Sequence, residues 1–461
     1  MMCGALCGLD AVVALNLLLI LTSSIYGFVL FGLSRVEPRR QRADGIRLPA
    51  ARRRRGAPTP AMVFVLPCLN EEKVIVRSLA RLTALRYPDM QILVVDDGSD
   101  DRTAEWAARR ADPRVTVLRR TLPHARRGKG EALNAAVQYI RSSGMCDGRD
   151  PADVVVCVLD ADGRLEPFAV DEVRQILADP RVGAVQIGVR IGNRRHSLLA
   201  RMQDIEFVLH TEVYQRGRRH LGSVGLGGNG QFVRLSSLDS LGVAPWTDTL
   251  TEDLDIGVRL LQKGWRIEFC AAASVHQQGI ESLRPWLRQR TRWFQGHLQS
   301  WALLPGVLTR IRGVQMLDLL YLLTSPFLLL VSSLLSAGFW LSLTGALLTA
   351  AAGGPPVSPW WAPVYLLTFG PMYVYGILYW RIERRGGLSP LRTLLLMHLY
   401  PLYSSLWYLA GWRATARALA GRTAWSKTDR VDEVEPATPA SAAIAEPVTV
   451  PVPLAPAARA A

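Results

Sequence analysis

Between residues 61 and 118, short apolar runs alternate with helical segments, and this alternation restricts the fold more than any other feature. The runs "AMVFVLP", "MQILVVDD" and "RVTVLRR" have the length and composition of strands. The two segments between them have helical periodicity. Strands that alternate with helices form a parallel sheet with right-handed crossovers. We therefore expect an α/β fold with a mostly parallel sheet.

Acidic residues follow two of the predicted strands. Asp96 and Asp97 end the second run, and Asp160 and Asp162 end a later buried run, "DVVVCVLDADG". Ligands bind at the carboxyl ends of parallel strands. Carboxylates at i and i+2 repel unless a cation or hydrogen bonds compensate, and oxygen ligands suit Mg²⁺ or Mn²⁺. Turn and capping chemistry is the alternative for each pair, but two acidic strand ends favour a metal-diphosphate site.

Two further segments carry candidate chemistry. "TLTEDLDIG" places Glu252, Asp253 and Asp255 before a predicted helix, where acids either cap the helix or act as a general base. "HARRGKGEALN" contains a basic group that either binds a diphosphate or forms a solvated loop. The members of that group are Arg126, Arg127 and Lys129.

The N-terminal apolar run Ala11 to Leu33 predicts a membrane helix. Nine arginines follow between Arg35 and Arg55, which is the pattern of a cytoplasmic flank. A cleaved signal peptide is the alternative, but the run is longer than usual and its positive charge lies on the wrong side. We therefore assign much of the net charge of +15 to membrane topology and expect no nucleic-acid partner.

Three more apolar regions follow an amphipathic segment that starts at Ser282, at about 316–351, 361–379 and 391–410. An uncharged loop separates the first two and a basic loop the last two. Three single passes would leave the basic segment after Gly411 outside, against the charge rule. Either the first region is a hairpin or the last is interfacial or re-entrant around Pro401. We expect a multi-pass protein of the cell membrane with a cytoplasmic catalytic domain.

The predicted organisation has six parts. They are a transmembrane helix (1–34), a basic linker (35–58), the catalytic domain (59–281), amphipathic interfacial helices (282–313), a transmembrane region of about three segments (314–411), and a cytoplasmic basic segment with an Ala/Pro-rich tail (412–461). The tail from Val431 lacks periodicity and is predicted to be disordered.

The motifs "VVDDGS", "DAD", "TED" and "QRTRW" occur in this order on the β-α-β scaffold, followed by apolar helices. Together they resemble the inverting, membrane-bound family 2 glycosyltransferases, the group that includes synthases of cellulose, hyaluronan, chitin and poly-N-acetylglucosamine. The resemblance covers roughly Ala61 to Trp301. It implies a GT-A fold with a Rossmann-like sheet, a nucleotide sugar donor such as a UDP-sugar, and Mg²⁺ or Mn²⁺ as cofactor.

The resemblance also implies roles for the residues of the strand-end motifs. Asp97, with Asp96 beside it, would bind the nucleotide base and ribose, helped by Asn70 and Glu71 of "PCLNEE". Asp160 would lie beside the diphosphate, and Asp162 would coordinate the metal. Asp253 would be the general base.

The acceptor side is implied by two further motifs. Gln289, Arg292 and Trp293 match QxxRW, with Arg292 near the diphosphate and Trp293 near the acceptor sugar. The segment "GLGGNGQFVR" resembles the acceptor-side loop of these enzymes, which implies that Gly228 and Asn229 lie at the acceptor. It lacks the Cys-Gly-Ser core of cellulose synthases, which argues against cellulose as product. His276 either approaches the metal or is structural. "TAWSKTDR" near Trp425 resembles a cytoplasmic gating segment, which places the tail inside.

Three functions remain open from the sequence. The chain extends a β-linked polysaccharide at the membrane, or transfers one sugar to a lipid or lipid-linked acceptor, or is a non-catalytic module that binds a sugar nucleotide. The intact motifs argue against the last. The expected partners are a nucleotide sugar donor, a glycan or lipid-linked acceptor and the lipid bilayer.

Overall fold

The computed structural model describes residues 2–36, 59–354 and 361–422. These residues form two compact units. The sheet unit contains 59–189 and 225–278, and the helical unit contains 2–36, 190–224, 279–354 and 361–422. Most of the predicted basic linker, the segment around Trp425 and the tail lie outside the described residues. The predicted domain boundaries stay a prediction.

Within the described part of the chain, eight strands form one sheet in the order β3-β2-β1-β4-β7-β6-β8-β5. The strands are β1 (Ala61–Cys68), β2 (Met90–Asp96), β3 (Val115–Arg119), β4 (Val154–Val158), β5 (Arg164–Leu165), β6 (Val182–Ile191), β7 (Gln231–Arg234) and β8 (Arg266–Gln277). β1 pairs in parallel with β2 and β4, and β2 pairs in parallel with β3. The carboxyl ends of these four strands therefore share one edge.

The second half of the sheet is antiparallel where β7 pairs with β4 and β6, and where β5 pairs with β8. The prediction of a mostly parallel sheet is therefore correct only for β1 to β4, and the sheet is mixed. A parallel neighbour needs a crossover connection that covers the sheet. The chain between β6 and β7 instead passes through helices of the helical unit.

Helices of the sheet unit bury apolar faces that the sequence repeats at helical spacing. Ile75, Leu79 and Leu82 are buried on helix α2 (Ile75–Thr83), and each such side chain contributes about 1.5–3 kcal/mol relative to exposure. β1 and β2 are buried along nearly their whole length, as expected for strands covered on both faces. The helices are α2 (Ile75–Thr83), α3 (Thr103–Ala108), α4 (Lys129–Ser142), α5 (Ala169–Ile176), α8 (Leu235–Asp239) and α9 (Glu252–Gln262).

The helical unit has its own core, in which Leu30, Met202, Trp286, Tyr379 and Met397 are buried together. A six-residue π-helical turn, His210–Gln215, joins α6 to α7. The helices of this unit are α1 (Met2–Arg35), α6 (Leu198–Leu209), α7 (Arg216–Leu221), α10 (Leu283–Gln299), α11 (Leu304–Arg310), α12 (Gly313–Ala351), α13 (Trp361–Glu383) and α14 (Pro390–Leu419).

Two described helices are long and apolar enough to cross a membrane, namely the segment Leu18–Arg35 of α1 and the whole of α12. The first predicted C-terminal region forms one continuous helix of 39 residues, not a hairpin. At 1.5 Å per residue it is roughly 58 Å long, about twice the hydrocarbon thickness of a bilayer. α13 and α14 contain the other two predicted regions, but neither is among the candidate spans of the described chain.

One buried side chain joins α4 to the loop before α9. The amide nitrogen of Asn134 donates to the carbonyl of Trp246 at 2.8 Å, and its oxygen accepts from the Trp246 N–H at 2.9 Å. A Cβ at Gly130 would lie 2.4 Å from the carbonyl oxygen of Thr247, so the loop touches the helix backbone. These contacts hold the segment that leads into α9.

We predict that Asn134→Ala destabilises the protein, because it leaves a buried N–H and a buried carbonyl without partners. The free energy of unfolding should fall by about 2–4 kcal/mol. Urea unfolding in detergent, followed by tryptophan fluorescence, measures this change. Gln138→Ala on the same helix is the control and should change the free energy by at most about 0.5 kcal/mol. Equal effects of the two substitutions would contradict the assigned role of Asn134.

Candidate active site

Asp96 and Asp97 lie where β1, β2 and β3 end together. Oδ1 of Asp96 accepts from the Ser99 N–H at 3.2 Å, and Oδ2 lies 3.4 Å from Nε of Arg119. Asp97 forms a buried ion pair with Arg120. The register pairs Asp96 with Cys68 on one side and with Arg119 on the other, which explains why these groups converge.

Both carboxylates are buried, and burial raises the pKa of Asp96 and of Asp97 above the usual range. The Ser99 hydrogen bonds and the Arg119 charge oppose this rise in the pKa of Asp96, and Arg120 opposes it in the pKa of Asp97. Further hydrogen-bond donors would stabilise the charged form of buried carboxylates such as these. Nucleoside hydroxyl and N–H groups are donors of this kind.

The loop after β1 is tied to the loop after β2. The Asn70 N–H donates to Oγ of Ser99 at 2.9 Å, and Oδ1 of Asn70 accepts from the Asp100 N–H at 2.8 Å. Asn70 has a φ of 54°, a left-handed conformation that asparagine tolerates better than most residues. The Glu71 N–H donates to Oγ1 of Thr103 at 2.7 Å. The structure thus brings the four predicted nucleotide-binding residues to one edge.

A second cluster surrounds the Lys129 ammonium group. Its Nζ donates to Oδ1 of Asp160 at 2.7 Å and to the Gly228 carbonyl at 3.2 Å, and lies 3.8 Å from Oε1 of Glu252. A Cβ added at Gly228 would lie 2.8 Å from Oδ2 of Asp253 and 3.5 Å from Nζ of Lys129. Gly228 also has a φ of 73°, a conformation that favours glycine, and a side chain there would have to displace the Asp253 carboxylate. Four separate sequence motifs therefore meet at one point.

The neighbouring carboxylates determine the protonation state of Lys129. Burial alone lowers the pKa of Lys129, but the carboxylates of Asp160, Glu252 and Asp253 outweigh it and raise the pKa above the ordinary value. The ammonium group is therefore protonated at neutral pH. A fixed positive charge among carboxylates suits the binding of an anionic diphosphate together with a divalent cation.

The loop that contains Asn229 is fixed by two glutamines. Oδ1 of Asn229 accepts from the Asp160 N–H at 3.2 Å, and its Nδ2 donates to Oε1 of Gln277 at 2.7 Å. Gln186 donates to the Asn229 carbonyl at 2.9 Å and accepts from the Gly227 N–H at 2.9 Å. The sequence interpretation missed both glutamines. Gln186 offers a signal, because it is a polar residue within an apolar strand and therefore needs buried partners.

Asp162 is buried, and its Oδ2 accepts from the Gln278 N–H at 2.8 Å. β5 starts two residues later and pairs Arg164 with His276, whose Nε2 lies 3.5 Å from Oε1 of Glu166. Within the described residues, no group of three or more His, Cys, Asp or Glu is arranged to hold a metal ion. The oxygen donors of Asp160 and Asp162 nevertheless fit a hard divalent cation that takes its remaining ligands from a diphosphate and water.

The arginines near the first cluster were only partly predicted. Arg126 pairs with Asp100 and donates from Nε to the Gly98 carbonyl at 2.9 Å, so it supports the turn after β2. Arg119 and Arg120, which contact the two aspartates, were not singled out in the sequence. Both arginines end the run "RVTVLRR". Because β3 ends at the same edge of the sheet as β2, this position in the run could have indicated that they lie near the two aspartates.

Gln289, Arg292 and Trp293 lie on α10 of the helical unit and are all partly exposed. At spacings of three and four residues, they share one face of the helix. Trp286 and Phe294 are buried, whereas Leu283 and Trp301 are exposed. The roles that the resemblance implies for the three motif residues stay predictions.

Comparison with known proteins gives the family. The family described as "Glycosyltransferase like family 2" matches residues 59–296. A β-monoglucosyldiacylglycerol synthase of Trichormus variabilis is 32% identical over 248 residues, which cover 52% of this chain and 50% of the relative. A poly-β-1,6-N-acetyl-D-glucosamine synthase of Staphylococcus aureus is 29% identical over 239 residues, 51% of this chain and 54% of the relative. The match thus spans about half the length of these relatives.

A solved structure supports the same fold. A mannosyltransferase of Pyrobaculum calidifontis, determined with GDP-Man and Mn²⁺, superposes with a TM-score of 0.55 at 18% identity, over 90% of this chain and 99% of that one. At this identity the likeness concerns the fold, which is the GT-A fold that the motifs implied. Because the family match covers more than half of the chain and includes every motif of both clusters, the chain belongs to glycosyltransferase family 2.

Proposed function

We propose that the chain is an inverting, metal-dependent glycosyltransferase that transfers sugar from a UDP-sugar to a growing β-linked glycan at the membrane. The observation that supports this most directly is the cluster of Lys129, Asp160, Gly228 and Asp253 in the sheet unit. It combines a cation for a diphosphate, carboxylates for a metal and a candidate base packed against the backbone of Gly228.

The donor would be bound by residues at the ends of β1, β2 and β4. Asn70, Glu71, Asp96 and Asp97 bind the nucleoside, and Lys129 binds the diphosphate. Asp160 and Asp162 would hold Mg²⁺ or Mn²⁺, which when bound stabilises negative charge on the departing diphosphate. Neighbouring carboxylates raise the pKa of Lys129, so its ammonium group is charged before the donor and the metal bind.

Asp253 would act as the base for the acceptor hydroxyl. Its carboxylate takes the proton while the hydroxyl oxygen attacks the anomeric carbon, and the bond to the nucleoside diphosphate breaks. A single displacement from the opposite face inverts the anomeric centre. Gly228 leaves room for Asp253, and Asn229 lines the acceptor loop. We assign the acceptor and diphosphate contacts implied by QxxRW to Gln289, Arg292 and Trp293.

The reaction would occur in a multi-pass membrane protein. α1 and α12 are the candidate spans of the described chain, and we add α13 and α14 as further membrane-associated helices. Exposed leucines such as Leu341 on α12 and Leu395 on α14 have the apolar character that lipid contact requires. The nine arginines from Arg35 to Arg55 favour a cytoplasmic position for the C-terminal end of α1.

A membrane lipid is a second candidate acceptor. The observation in its favour is the 32% identity to a β-monoglucosyldiacylglycerol synthase. The chemistry at Asp253 would be the same, but one sugar would be transferred and the product would stay in the bilayer.

One experiment separates the two acceptors. Membranes that contain the full chain are supplied in turn with labelled UDP-glucose, UDP-N-acetylglucosamine and GDP-mannose, with Mn²⁺. A large product that stays out of organic solvent supports glycan extension, and a small extractable product supports the lipid acceptor. Absence of any labelled product with all three donors and native lipid extract would contradict transfer from these donors.

Asp253→Asn tests the base. The substitution keeps the shape of the side chain but removes its ability to accept a proton, so kcat should fall by about 10²–10⁴-fold. The dissociation constant for UDP, measured by calorimetry, should change by less than about two-fold, since the nucleoside contacts lie elsewhere. Asp248→Asn, an exposed carboxylate five residues earlier, is the control. Unchanged transfer by Asp253→Asn would remove Asp253 from this role.

Asp162→Asn tests the metal site. A neutral amide is a poorer ligand for a hard cation, so the Mn²⁺ concentration that gives half-maximal transfer should rise by about ten-fold or more. Titration of activity with Mn²⁺ measures this value. Asp171→Asn on the exposed face of α5 is the matched control and should leave the titration unchanged. An unaltered Mn²⁺ requirement in Asp162→Asn would exclude Asp162 as a ligand.

A further inference from the structure

A buried arginine interrupts the apolar stripe of α10. Trp286, Arg290 and Phe294 follow one another at intervals of four residues, and all three are buried. Arg290 is 0% exposed, although a lone guanidinium is costly to remove from water. Its position in the stripe is visible in the sequence, but its partners are visible only in the structure.

The compensating charge comes from α6. Nη2 of Arg290 donates to Oε2 of Glu206 at 2.7 Å. Tyr403 of α14 donates to the same carboxylate, and its own oxygen accepts from Nε1 of Trp286 at 3.2 Å. Burial alone lowers the pKa of Arg290, but Glu206 and Tyr403 raise it above the ordinary value. Arg290 is therefore protonated and is held by its contact with Glu206.

Aromatic rings surround the guanidinium. Its central carbon lies 4.1 Å from the ring centroid of Trp293, 5.4 Å from that of Trp286 and 5.3 Å from that of Trp407. At such distances a cation attracts the faces of aromatic rings. Phe207 contacts Trp293 edge to face, with centroids 6.2 Å apart and an interplanar angle of 88°. The indole of Trp293 is thus oriented by Arg290 and by Phe207.

Arg290 also contacts Gln289. Its Nη1 donates to Oε1 of Gln289 at 2.9 Å, so the amide of Gln289 must direct its NH₂ group away from the guanidinium. Gln289 and Trp293 are four residues apart and partly exposed, which places both on one accessible face of the helix. One buried side chain therefore fixes the orientation of two accessible ones.

We propose that Arg290 is a positioning residue, which holds Gln289 and Trp293 in the orientation that binds the acceptor, with Glu206 as its fixed counter-charge. This inference rests on the proposed function for the acceptor role of Gln289 and Trp293. A planar fork is needed, because the guanidinium donates to Glu206 and Gln289 at once while it faces an indole ring. An ammonium group cannot do all three.

Two variants test the proposal. Arg290→Lys keeps the charge but loses the fork, and the double variant Arg290→Met with Glu206→Gln removes both charges together, so that neither is left buried alone. Arg288→Met is the matched control, because Arg288 is exposed two residues earlier on α10.

In both variants the acceptor KM should rise by about ten-fold or more, while kcat and the dissociation constant for UDP change by less than about three-fold. Adding Trp293→Ala to the double variant should cause no further loss, since the two changes act through the same contact. An acceptor KM within two-fold of wild type in both variants would overturn the proposal. So would fully additive losses with Trp293→Ala.

A spectroscopic measurement tests the positioning without activity. The full chain is labelled with 5-fluorotryptophan, and the ¹⁹F resonance of Trp293 is assigned among the 13 tryptophans by Trp293→Phe. This resonance should shift and broaden in the double variant and stay unchanged in Arg288→Met. An unchanged Trp293 resonance in the double variant would overturn the positioning role. Failure of the wild-type chain to transfer sugar would contradict the proposed function, while the shifted resonance would still support the positioning of Trp293.

Discussion

The contact between Lys129 and Asp160 is the interaction on which the arrangement of the candidate active site depends. Nζ of Lys129 lies 2.7 Å from Oδ1 of Asp160, and Glu252 and Asp253 belong to the same cluster. Without a cation, carboxylates from the end of β4 and from the start of α9 would repel at short range. The ammonium group keeps these motifs together without a bound ligand, so the proposed donor and metal would meet a site that is already ordered.

Much of this site follows from the sequence, because parallel strands end at a common edge. The acidic ends of β2 and β4 had to come near each other once β1 to β4 were recognised as parallel neighbours. The supporting groups could not be predicted in the same way. Gln186 and Gln277 lie on strands of the second half of the sheet, where the sequence pattern did not give strand pairing. Their role depends on which backbone they face, and only the register decides that.

In the helical unit, too, the supporting residues could not be predicted from the sequence. The sequence predicted an amphipathic segment from Ser282, and its match to QxxRW singled out Arg292. Helical spacing nevertheless puts Arg290, not Arg292, between the buried Trp286 and Phe294. Which arginine is buried depends on the presence of Glu206 and Tyr403, which are 84 and 113 residues away in the chain by subtraction of their numbers. A carboxylate at that distance in sequence gives no local pattern.

Gly228 limits how the proposed acceptor specificity of this protein can change. Any side chain at residue 228 would need a left-handed backbone conformation and would displace the Asp253 carboxylate, which lies 2.8 Å from the Cβ position, so substitution there strains the backbone and moves the proposed base. New specificity must instead arise from residues whose side chains already face outward from the loop or from α10. Attempts to redesign the acceptor should therefore leave the glycine untouched and diversify its neighbours.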